Sequence, residues 1–506
     1  MSHTTNNLSE KKQAGMPTGY CPNLWNDDLA PVEPQERTWG WQNIAALWVA
    51  MVVCVPAYML AASLVPEGMS WWQAVMTVFI GNLIVLIPML LLGHAGAKHG
   101  IPFPVLLRSS FGTSGAKLAS MLRGVVGCGW FGIQTWVGGS AIYVILNIVT
   151  DQALVGEPIP GLGIDLAQFL SFLVCWGMHI YFIARGTESI RVLETYAAPF
   201  LIAMSVGLLA WAVVKAGGFG SMLSTPSEFV KGGAREGEFW QAFWPGLTAM
   251  VGFWATLALN IPDFTRFAKN QRHQFIGQAV GLPIPMALLA FIAVGVASAT
   301  VVIYGEALWD PIAITERMGG FAVIIALLAL LVATVTTNIA ANVVAPANGF
   351  ANLSPRLISF RMGGFITAGL GIAIMPWKLL ESTGAYIFIW LIGYSALLGP
   401  LAGIMLADYL LLRKTELSHA DLFKNNGVYS YGNGWNTNAF IALVVAILPN
   451  LPGFLAAAGA IESVPDFFTT IYNYAWFVGV ALGAGIYFVL MRISHPVAAM
   501  AQPEAG

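Results

Sequence analysis

The feature that most constrains this chain is its repetition of long apolar segments. A helix needs about 20 predominantly apolar residues to cross a hydrocarbon core of about 30 Å. Segments of that kind lie at residues 42–64, 72–94, 121–149, 165–184, 192–214, 240–262, 276–303, 319–346, 363–380, 384–410, 437–458 and 469–492. Only 9% of the 506 residues are charged, whereas about 25% of an ordinary soluble protein is charged. The sequence therefore predicts an all-α integral membrane protein with about twelve transmembrane helices.

The positions of the basic residues predict how these helices are oriented. If the N-terminus lies in the cytoplasm, 18 of the 23 Lys and Arg residues fall in segments on the cytoplasmic side. Such an excess is typical of cytoplasmic loops, and here it alternates loop by loop. We therefore expect a multi-pass protein of the inner (plasma) membrane with both termini in the cytoplasm. The polar first 38 residues lack the apolar core of a signal peptide, and we interpret them as a flexible cytoplasmic tail.

Two sets of five helices share residue spacings, which indicates an internal repeat. In each set, a Trp precedes a Pro by eight residues in the first helix, and two residues four apart mark the third helix. These residues are Trp48, Pro56, Trp130 and Gln134 in the first set, and Trp254, Pro262, Asn338 and Asn342 in the second. Because five is odd, the second set must cross the membrane in the opposite direction, as in the inverted repeats of secondary transporters.

We expect this repeat to divide the chain. The predicted parts are an N-terminal tail, a first five-helix repeat, an inverted second repeat, two C-terminal helices and a cytoplasmic tail, at residues 1–38, 39–218, 219–415, 416–495 and 496–506. In such transporters the substrate site lies near mid-membrane, at the interface of the repeats. Pro56 in the first helix, and Gly252 and Pro262 around the sixth, indicate either unwound backbone beside that site or simple proline kinks.

Few ionisable residues lie within the predicted helices, and this limits the chemistry. The cores of helices one, two, three, six and eight contain no Asp, Glu, Lys, Arg or His. The sequence therefore offers no pair of deep carboxylates, no metal-ligand cluster and no nucleophile–base set, so an enzyme is the least favoured class. No basic patch with interleaved aromatic residues indicates a nucleic-acid partner. The 4 Cys residues include no Cys-x-x-Cys pair, and we interpret them as small hydrophobic residues.

What remains is a set of neutral polar and aromatic residues. The set comprises Trp130, Gln134, Thr135, Trp136, Phe253, Trp254, Thr336, Thr337, Asn338 and Asn342. Amides both donate and accept hydrogen bonds, and flat aromatic side chains offer stacking faces. This set suits a small, planar, neutral molecule with alternating N–H and C=O groups. The alternative for each amide, and for the intramembrane His179, is a hydrogen bond between helices.

Two adjacent threonines indicate a candidate cation site. Thr336 and Thr337 lie about one turn before Asn342. If they face an unwound part of the first helix, around Ala50 to Val53, their hydroxyls and the freed carbonyls would offer the oxygen ligands that hard cations such as Na⁺ prefer. The alternative is that each hydroxyl bonds to a carbonyl of its own helix.

In six stretches the chain resembles the nucleobase–cation symporter family 1, whose members carry uracil, cytosine, allantoin, hydantoins and related compounds. The stretches are RTWGWQNIAALW (37–48), GHAGAKHGIPFPVLLRSSFG (93–112), WFGIQTWVGG (130–139), FWATLALNIPDFTRFAKNQ (253–271), ATVTTNIAANVVAPANGFANLSP (333–355) and LLGPLAGIMLADYLLLRK (397–414). The resemblance covers residues 35–495 and is closest, within the family, to bacterial uracil and allantoin permeases. It implies a LeuT-like fold of inverted five-helix repeats followed by two further helices.

The resemblance also implies how a substrate would be held. The ring would be sandwiched between the indoles of Trp130 and Trp254, with Gln134 and Asn342 hydrogen-bonded to its ureide or imide edge. Three further residues complete the expected substrate site, namely Asn338, Cys54 and Phe253. Cys54 replaces a polar residue of the relatives and Phe253 replaces a small one, so both reshape the pocket and make it less polar.

A sodium site and an outer closure follow from the same resemblance. The sodium site would combine the backbone carbonyls of Ala50, Val53 and Ala333 with the hydroxyls of Thr336 and Thr337. The tenth helix, around Phe388 to Leu391, would close the extracellular side.

The expected function is import of a small neutral planar nucleobase or ureide, of the uracil, allantoin or hydantoin type, by cation-coupled alternating access. The alternatives are a passive facilitator or channel for the same solutes, a cytosine/purine or thiamine-type permease of the same fold, and a transport-fold receptor. We expect no cofactor beyond co-transported Na⁺ or H⁺, no other metal, and a functional monomer in the lipid bilayer.

Overall fold

The structure is a computed structural model that describes residues 16–185, 202–318 and 321–494. Within these ranges the chain forms helices and turns, and no strand beyond two isolated bridges, Trp39 with Ala268 and Gly432 with Trp435. The prediction of an all-α protein is confirmed. Part of the predicted N-terminal tail, the start of the predicted fifth helix and the predicted tail at 496–506 lie outside the described residues.

The described ranges before residue 216 contain seven helices. They are α1 (Trp41–Val52), α2 (Val55–Ser63), α3 (Trp71–His99), α4 (Phe103–Phe111), α5 (Gly115–Val149), α6 (Leu166–Arg185) and α7 (Ile202–Lys215). The predicted start of the third span, residue 121, was too late by six residues. Arg123, one of the 18 basic residues assigned to the cytoplasmic side, is buried inside α5.

The middle of the chain continues with eleven helices among the described residues. They are α8 (Phe219–Met222), α9 (Phe239–Phe253), α10 (Ala255–Asn260), α11 (Pro262–Thr265), α12 (Gln271–Gly281), α13 (Pro283–Tyr304), α14 (Pro311–Met318), α15 (Phe321–Asn342), α16 (Val344–Leu353), α17 (Phe360–Ala373) and α18 (Pro376–Leu379).

The last part begins with α19 (Ile392–Leu406), which is flanked by two π-helical segments, Ala385–Leu391 and Ala407–Leu412. It ends with α20 (Thr437–Ile447), α21 (Leu451–Ala457), α22 (Asp466–Asn473) and α23 (Ala475–Ser494). Short 3₁₀ turns lie at Pro34–Glu36, Ala420–Phe423 and Leu448–Asn450.

Nine helices in the described ranges are long and apolar enough to cross a membrane, and the number is ten if the bent pair α1 and α2 is counted as one span. Two predicted segments, 192–214 and 363–380, correspond to the shorter apolar helices α7 and α17. In the second of these, the helix ends before Met375, whose φ of 52° is left-handed, and Pro376 starts α18. The number of twelve spans therefore stays a prediction.

The first predicted span is broken between α1 and α2. The axes of α1 and α2 differ by 63°, and Cys54 between them is extended, with φ −140° and ψ 157°. Pro56 lies in the first turn of α2, where its missing N–H removes no intrahelical hydrogen bond. The break lies at Val53 and Cys54. The sequence placed unwound backbone around Ala50 to Val53, but Ala50 still belongs to α1.

The sixth span is interrupted more mildly. The backbone leaves regular helical geometry at Trp254, with φ −95° and ψ 0°, before α10 continues to Asn260. Helix α5 packs against both α15 and α10, and α15 also contacts α1. The two interrupted spans therefore meet around the middle of α5.

Candidate substrate site

A cavity of about 30 Å³ lies where the interrupted spans approach α5 and α15. Its lining residues are Met51, Cys54, Trp130, Gln134, Phe253, Trp254, Thr256, Leu257, Ala341 and Asn342. The structure thus brings together six of the seven residues expected to contact a substrate, and Asn338 is the exception. A single water needs about 10–15 Å³ of such space. A flat ring would therefore fit only after some lining side chains move.

Phe253 contacts both of the indoles that were expected to sandwich a ring. Its ring lies edge-on to Trp130, with centroids 5.0 Å apart, and edge-on to Trp254, with centroids 4.8 Å apart. Trp254 also contacts Trp48 edge-on at 5.4 Å. Because Phe253 touches both indoles in a cavity of this size, lining side chains must move before a ring can stack on both indoles at once.

Aromatic residues of the first π-helical segment pack against Trp130, which lines the cavity. Trp390, within the segment expected to close the site, lies 5.7 Å from Trp130 between ring centroids. Tyr386 lies 6.3 Å from Trp130 and donates a 3.0 Å hydrogen bond from its hydroxyl to the carbonyl of Pro56. On its other side Tyr386 stacks on Trp309 at 6.0 Å. This segment is thereby joined to the broken first span.

Asn342 is held by a hydrogen-bonded chain that runs away from the cavity. Its Nδ2 donates to Asn338 Oδ1 at 2.9 Å. Asn338 Nδ2 lies 3.0 Å from the carbonyl of Phe131 in α5 and 3.0 Å from His179 Nε2 in α6. His179 Nδ1 in turn lies 2.8 Å from the carbonyl of Cys175. For Asn338 and His179, the structure therefore shows the interhelical bonding that the sequence left open as an alternative.

The side-chain amide of Gln134 differs from that of Asn342 in its hydrogen bonding. Its side chain is only 4% exposed, yet within the described part of the chain its Oε1 has no hydrogen-bond partner. The indole Nε1 of Trp254 is likewise buried without a partner there. Leaving a buried polar group unpaired costs about 1–3 kcal/mol. Two unpaired polar groups beside one cavity therefore indicate a place where a ligand makes hydrogen bonds.

The other predicted lining residues lie outside the cavity. Thr135 donates to the carbonyl of Phe131 in its own helix at 2.7 Å. Trp136 packs against Phe172 and Trp377, with ring centroids 6.4 and 5.8 Å away. Thr135 therefore bonds within its own helix, and Trp136 packs against neighbouring aromatic side chains.

The residues of the predicted sodium site lie on elements that contact one another. Thr336 and Thr337 are buried on α15, the helix that also carries Ala333. Val53 belongs to the break after α1, and Ala50 lies in the last turn of α1. Hydroxyl and carbonyl oxygens are a donor set suited to a hard cation, so the chemistry of these residues fits Na⁺.

The sequence did not predict a buried arginine that lies two helical turns before Trp130 on α5. Arg123 is 1% exposed and donates through Nε and Nη2 to Asn260 Oδ1, at 3.1 and 2.9 Å. Asn260 Nδ2 donates to Asp263 Oδ2 at 3.4 Å, and Asp263 Oδ1 accepts from the backbone N–H of Phe103 at 2.8 Å. The available signal was spacing, because Arg123 precedes Trp130 by two helical turns on one face of α5.

Comparison with known proteins finds relatives over nearly the whole chain. Residues 31–479 match the family described as permease for cytosine/purines, uracil, thiamine and allantoin. The chain is 46% identical over 475 residues to the purine-uracil permease of Arabidopsis thaliana, covering 93% of this chain and 78% of that protein. It is 40% identical over 484 residues to the allantoin permease of Bacillus subtilis, covering 94% of this chain and 95% of that protein.

A solved transporter shares the fold. The structure of Mhp1, a nucleobase-cation-symport-1 family transporter in a closed conformation with bromovinylhydantoin bound, superimposes with a TM-score of 0.74 at 27% identity. The match covers 94% of this chain and 97% of that one. The LeuT-like fold implied by the sequence resemblance is confirmed by this similarity.

Proposed function

The chain belongs to the family of permeases for cytosine/purines, uracil, thiamine and allantoin, and on this premise we propose that it imports a small, neutral, planar nucleobase or ureide by cation-coupled alternating access. It is a multi-pass membrane transporter and not an enzyme. Among the substrates of the family, we favour uracil, allantoin and hydantoin types over cytosine, purines and thiamine.

The observation that carries this proposal is the lining of the central cavity. Its described residues combine Trp130, Phe253 and Trp254 with two amides, Gln134 and Asn342, and none of them carries a charge. A charged substrate would lose its hydration without gaining a counter-charge, which is costly inside a membrane protein. A neutral ring with N–H and C=O groups gains stacking from the aromatic residues and hydrogen bonds from the amides.

The relatives support the same class of substrate. The names of the two permeases refer to purines and uracil and to allantoin, and the solved transporter holds a substituted hydantoin. Uracil, allantoin and hydantoin share a cyclic imide, an N–H between two carbonyls. Their rings differ by one atom in size, which a fitted pocket distinguishes by only about 1–3 kcal/mol.

The coupling cation is proposed to be Na⁺, held by the carbonyls of Ala50, Val53 and Ala333 and the hydroxyls of Thr336 and Thr337. The buried position of both threonines on a helix that contacts α1 supports this assignment. H⁺ is the alternative coupling ion. We further propose two inverted repeats at 39–218 and 219–415, cytoplasmic termini, location in the plasma (inner) membrane and a functional monomer.

Uptake into proteoliposomes tests the function. Labelled uracil is offered with an inward gradient of Na⁺, of K⁺ or of H⁺, against unlabelled allantoin, hydantoin and cytosine as competitors. We expect concentrative uptake with Na⁺ that allantoin or hydantoin inhibits, and we expect Thr337→Val to abolish the Na⁺ dependence. Uptake that only equilibrates, with no counterflow, would indicate a passive facilitator. Stimulation by the H⁺ gradient alone would replace Na⁺ with H⁺.

A further inference from the structure

We propose that His179 and Asn338 are positioning residues that fix Asn342 as a hydrogen-bond acceptor. The site then selects cyclic imides, whose N–H faces Asn342, over rings that present an unprotonated nitrogen to Asn342. This inference rests on the proposed function, because it takes Asn342 to contact the substrate. The direction of each hydrogen bond between Cys175 and Asn342 follows from the groups that can only accept a hydrogen bond.

The chain of hydrogen bonds starts at a backbone carbonyl. His179 Nδ1 lies 2.8 Å from the carbonyl oxygen of Cys175, which can only accept. Nδ1 must therefore carry a hydrogen. His179 is fully buried between helices, where a charged imidazolium without a counter-ion is costly. The neutral ring then has its lone pair on Nε2, so Nε2 accepts.

Asn338 is oriented by the acceptors around it. Its terminal nitrogen lies 3.0 Å from both His179 Nε2 and the carbonyl oxygen of Phe131. The same nitrogen lies 3.2 Å from Thr135 Oγ1, whose hydrogen is already donated to the Phe131 carbonyl. Only an NH₂ group is compatible with these acceptors, because the reversed amide would place an oxygen against them. Asn338 Oδ1 must therefore point away from α5 and accept.

Asn342 inherits its orientation from Asn338. Its Nδ2 donates to Asn338 Oδ1 at 2.9 Å, which turns Asn342 Oδ1 away from Asn338. Asn342 lines the cavity, so a fixed carbonyl oxygen is offered there. Gln134 is not constrained in this way, since its Oε1 has no partner among the described residues. Its amide can rotate to donate to a carbonyl beside the imide N–H.

This polarity separates two rings of equal size. Uracil carries N–H between two carbonyls, and it can donate to Asn342 while accepting from Gln134. Cytosine carries a lone pair at the same ring position, and a lone pair facing Asn342 Oδ1 is repelled and leaves a buried acceptor unpaired. Sites built to bond an N–H group discriminate strongly against analogues that lack it.

The test compares binding of uracil and of cytosine to the purified full-length protein, by ligand-induced thermal stabilisation and by titration. We expect the wild type to prefer uracil by about 30-fold or more. His179→Leu removes one of the three acceptors that face the Asn338 nitrogen. The preference should fall at least about threefold, because the reversed amides of Asn338 and Asn342 are then opposed by fewer acceptors. His179→Gln supplies an oxygen near the position of Nε2 and should restore the preference. Ser171→Ala, a buried change on the same helix without a described contact to this chain of hydrogen bonds, is the matched control.

Each result has a separate meaning. A wild type that binds cytosine as tightly as uracil overturns the inference without any variant. A His179→Leu protein that loses affinity for both rings equally, with an unchanged ratio, shows that His179 only supports the fold. ¹⁵N NMR of labelled histidine gives a ligand-free check, because the signal absent from His179→Gln must show a protonated Nδ1 and a bare Nε2. A wild type that binds none of uracil, allantoin and hydantoin overturns the proposed function itself.

Discussion

The two walls of the central cavity carry amides at corresponding places in the two proposed repeats, but the protein holds them in opposite ways. On the α15 wall, Asn342 is the end of a chain of hydrogen bonds through Asn338 and His179. On the α5 wall, Gln134 has an unpaired Oε1 within the described residues. The difference shows that similar sequence positions need not give similar recognition. One wall presents a preorganised group, and the other presents a group that adapts.

This contrast has a structural cause in the neighbours of each amide. Asn342 lies one turn after Asn338, which reaches the backbone of α5 and the ring of His179 on α6. Gln134 lies one turn after Trp130, whose ring contacts Phe253 and Trp390. Rings fill space beside Gln134 without supplying acceptors in their plane. A preorganised group loses little freedom on binding, so the α15 wall should contribute more to affinity.

The largest effect is expected for Asn342→Leu. This change of similar size removes the acceptor for the substrate and also removes the donor to Asn338 Oδ1. Apparent affinity for uracil should fall about 100-fold, which corresponds to about 2.7 kcal/mol. The unfolding temperature of the ligand-free protein should also fall, because a buried oxygen is left unpaired. Competition binding measures the affinity, and thermal unfolding in detergent measures the stability. A loss of affinity below about tenfold would remove the distinction between the walls.

Asn338→Leu should come next, although Asn338 does not line the cavity. The variant breaks the link between α15, α5 and α6 and frees Asn342 to rotate. We expect a loss of affinity of about 30-fold and a lower unfolding temperature. The same two measurements apply, with Ser171→Ala as control. A lower unfolding temperature with unchanged affinity would mean that the chain of hydrogen bonds stabilises helix packing and does not position Asn342.

The sequence predicted one of these walls better than the other. Helical spacing placed Trp130 and Gln134 on one face of α5, and the structure puts both beside the cavity. The same spacing placed Asn338 and Asn342 together, but it could not show that only Asn342 reaches the cavity. That outcome depends on the carbonyl of Phe131 and on His179, which belong to other helices. Spacing along one helix carries no information about acceptors on its neighbours.

Other differences between expectation and structure have the same physical cause. Apolar length predicted the helices, and Pro56 indicated either unwound backbone or a kink in the first span, because both signals depend on local sequence. The buried Arg123 was not predicted, since its burial depends on Asn260 from a distant part of the chain. The contact of Phe253 with Trp130 depends on how the sixth span packs against α5, which a pattern along one segment does not show.

Gln134→Leu should have a smaller effect on binding and the opposite effect on stability. Loss of one neutral hydrogen bond to the substrate is worth about 0.5–1.5 kcal/mol, or up to about tenfold in affinity. Removing an unpaired buried oxygen should leave the unfolding temperature of the ligand-free protein unchanged or higher. The unfolding temperatures of the ligand-free Gln134→Leu and Asn342→Leu variants, measured side by side, provide the comparison. If both variants are destabilised to the same extent, Gln134 has a partner and the two walls are alike.

The smallest effect is expected for Cys54→Ser, at the broken first span that belongs to neither amide wall. Cys54 lines the cavity and is also the N-cap of α2, where its side chain makes no capping hydrogen bond. Serine has nearly the same shape, and its hydroxyl is a favoured N-cap that can accept from a free N–H of α2. Affinity for uracil should therefore change by less than about threefold, while the unfolding temperature rises slightly because a cap contributes about 1 kcal/mol. A loss of affinity above tenfold would instead assign substrate recognition to the broken span. The amide walls would then have only a supporting role.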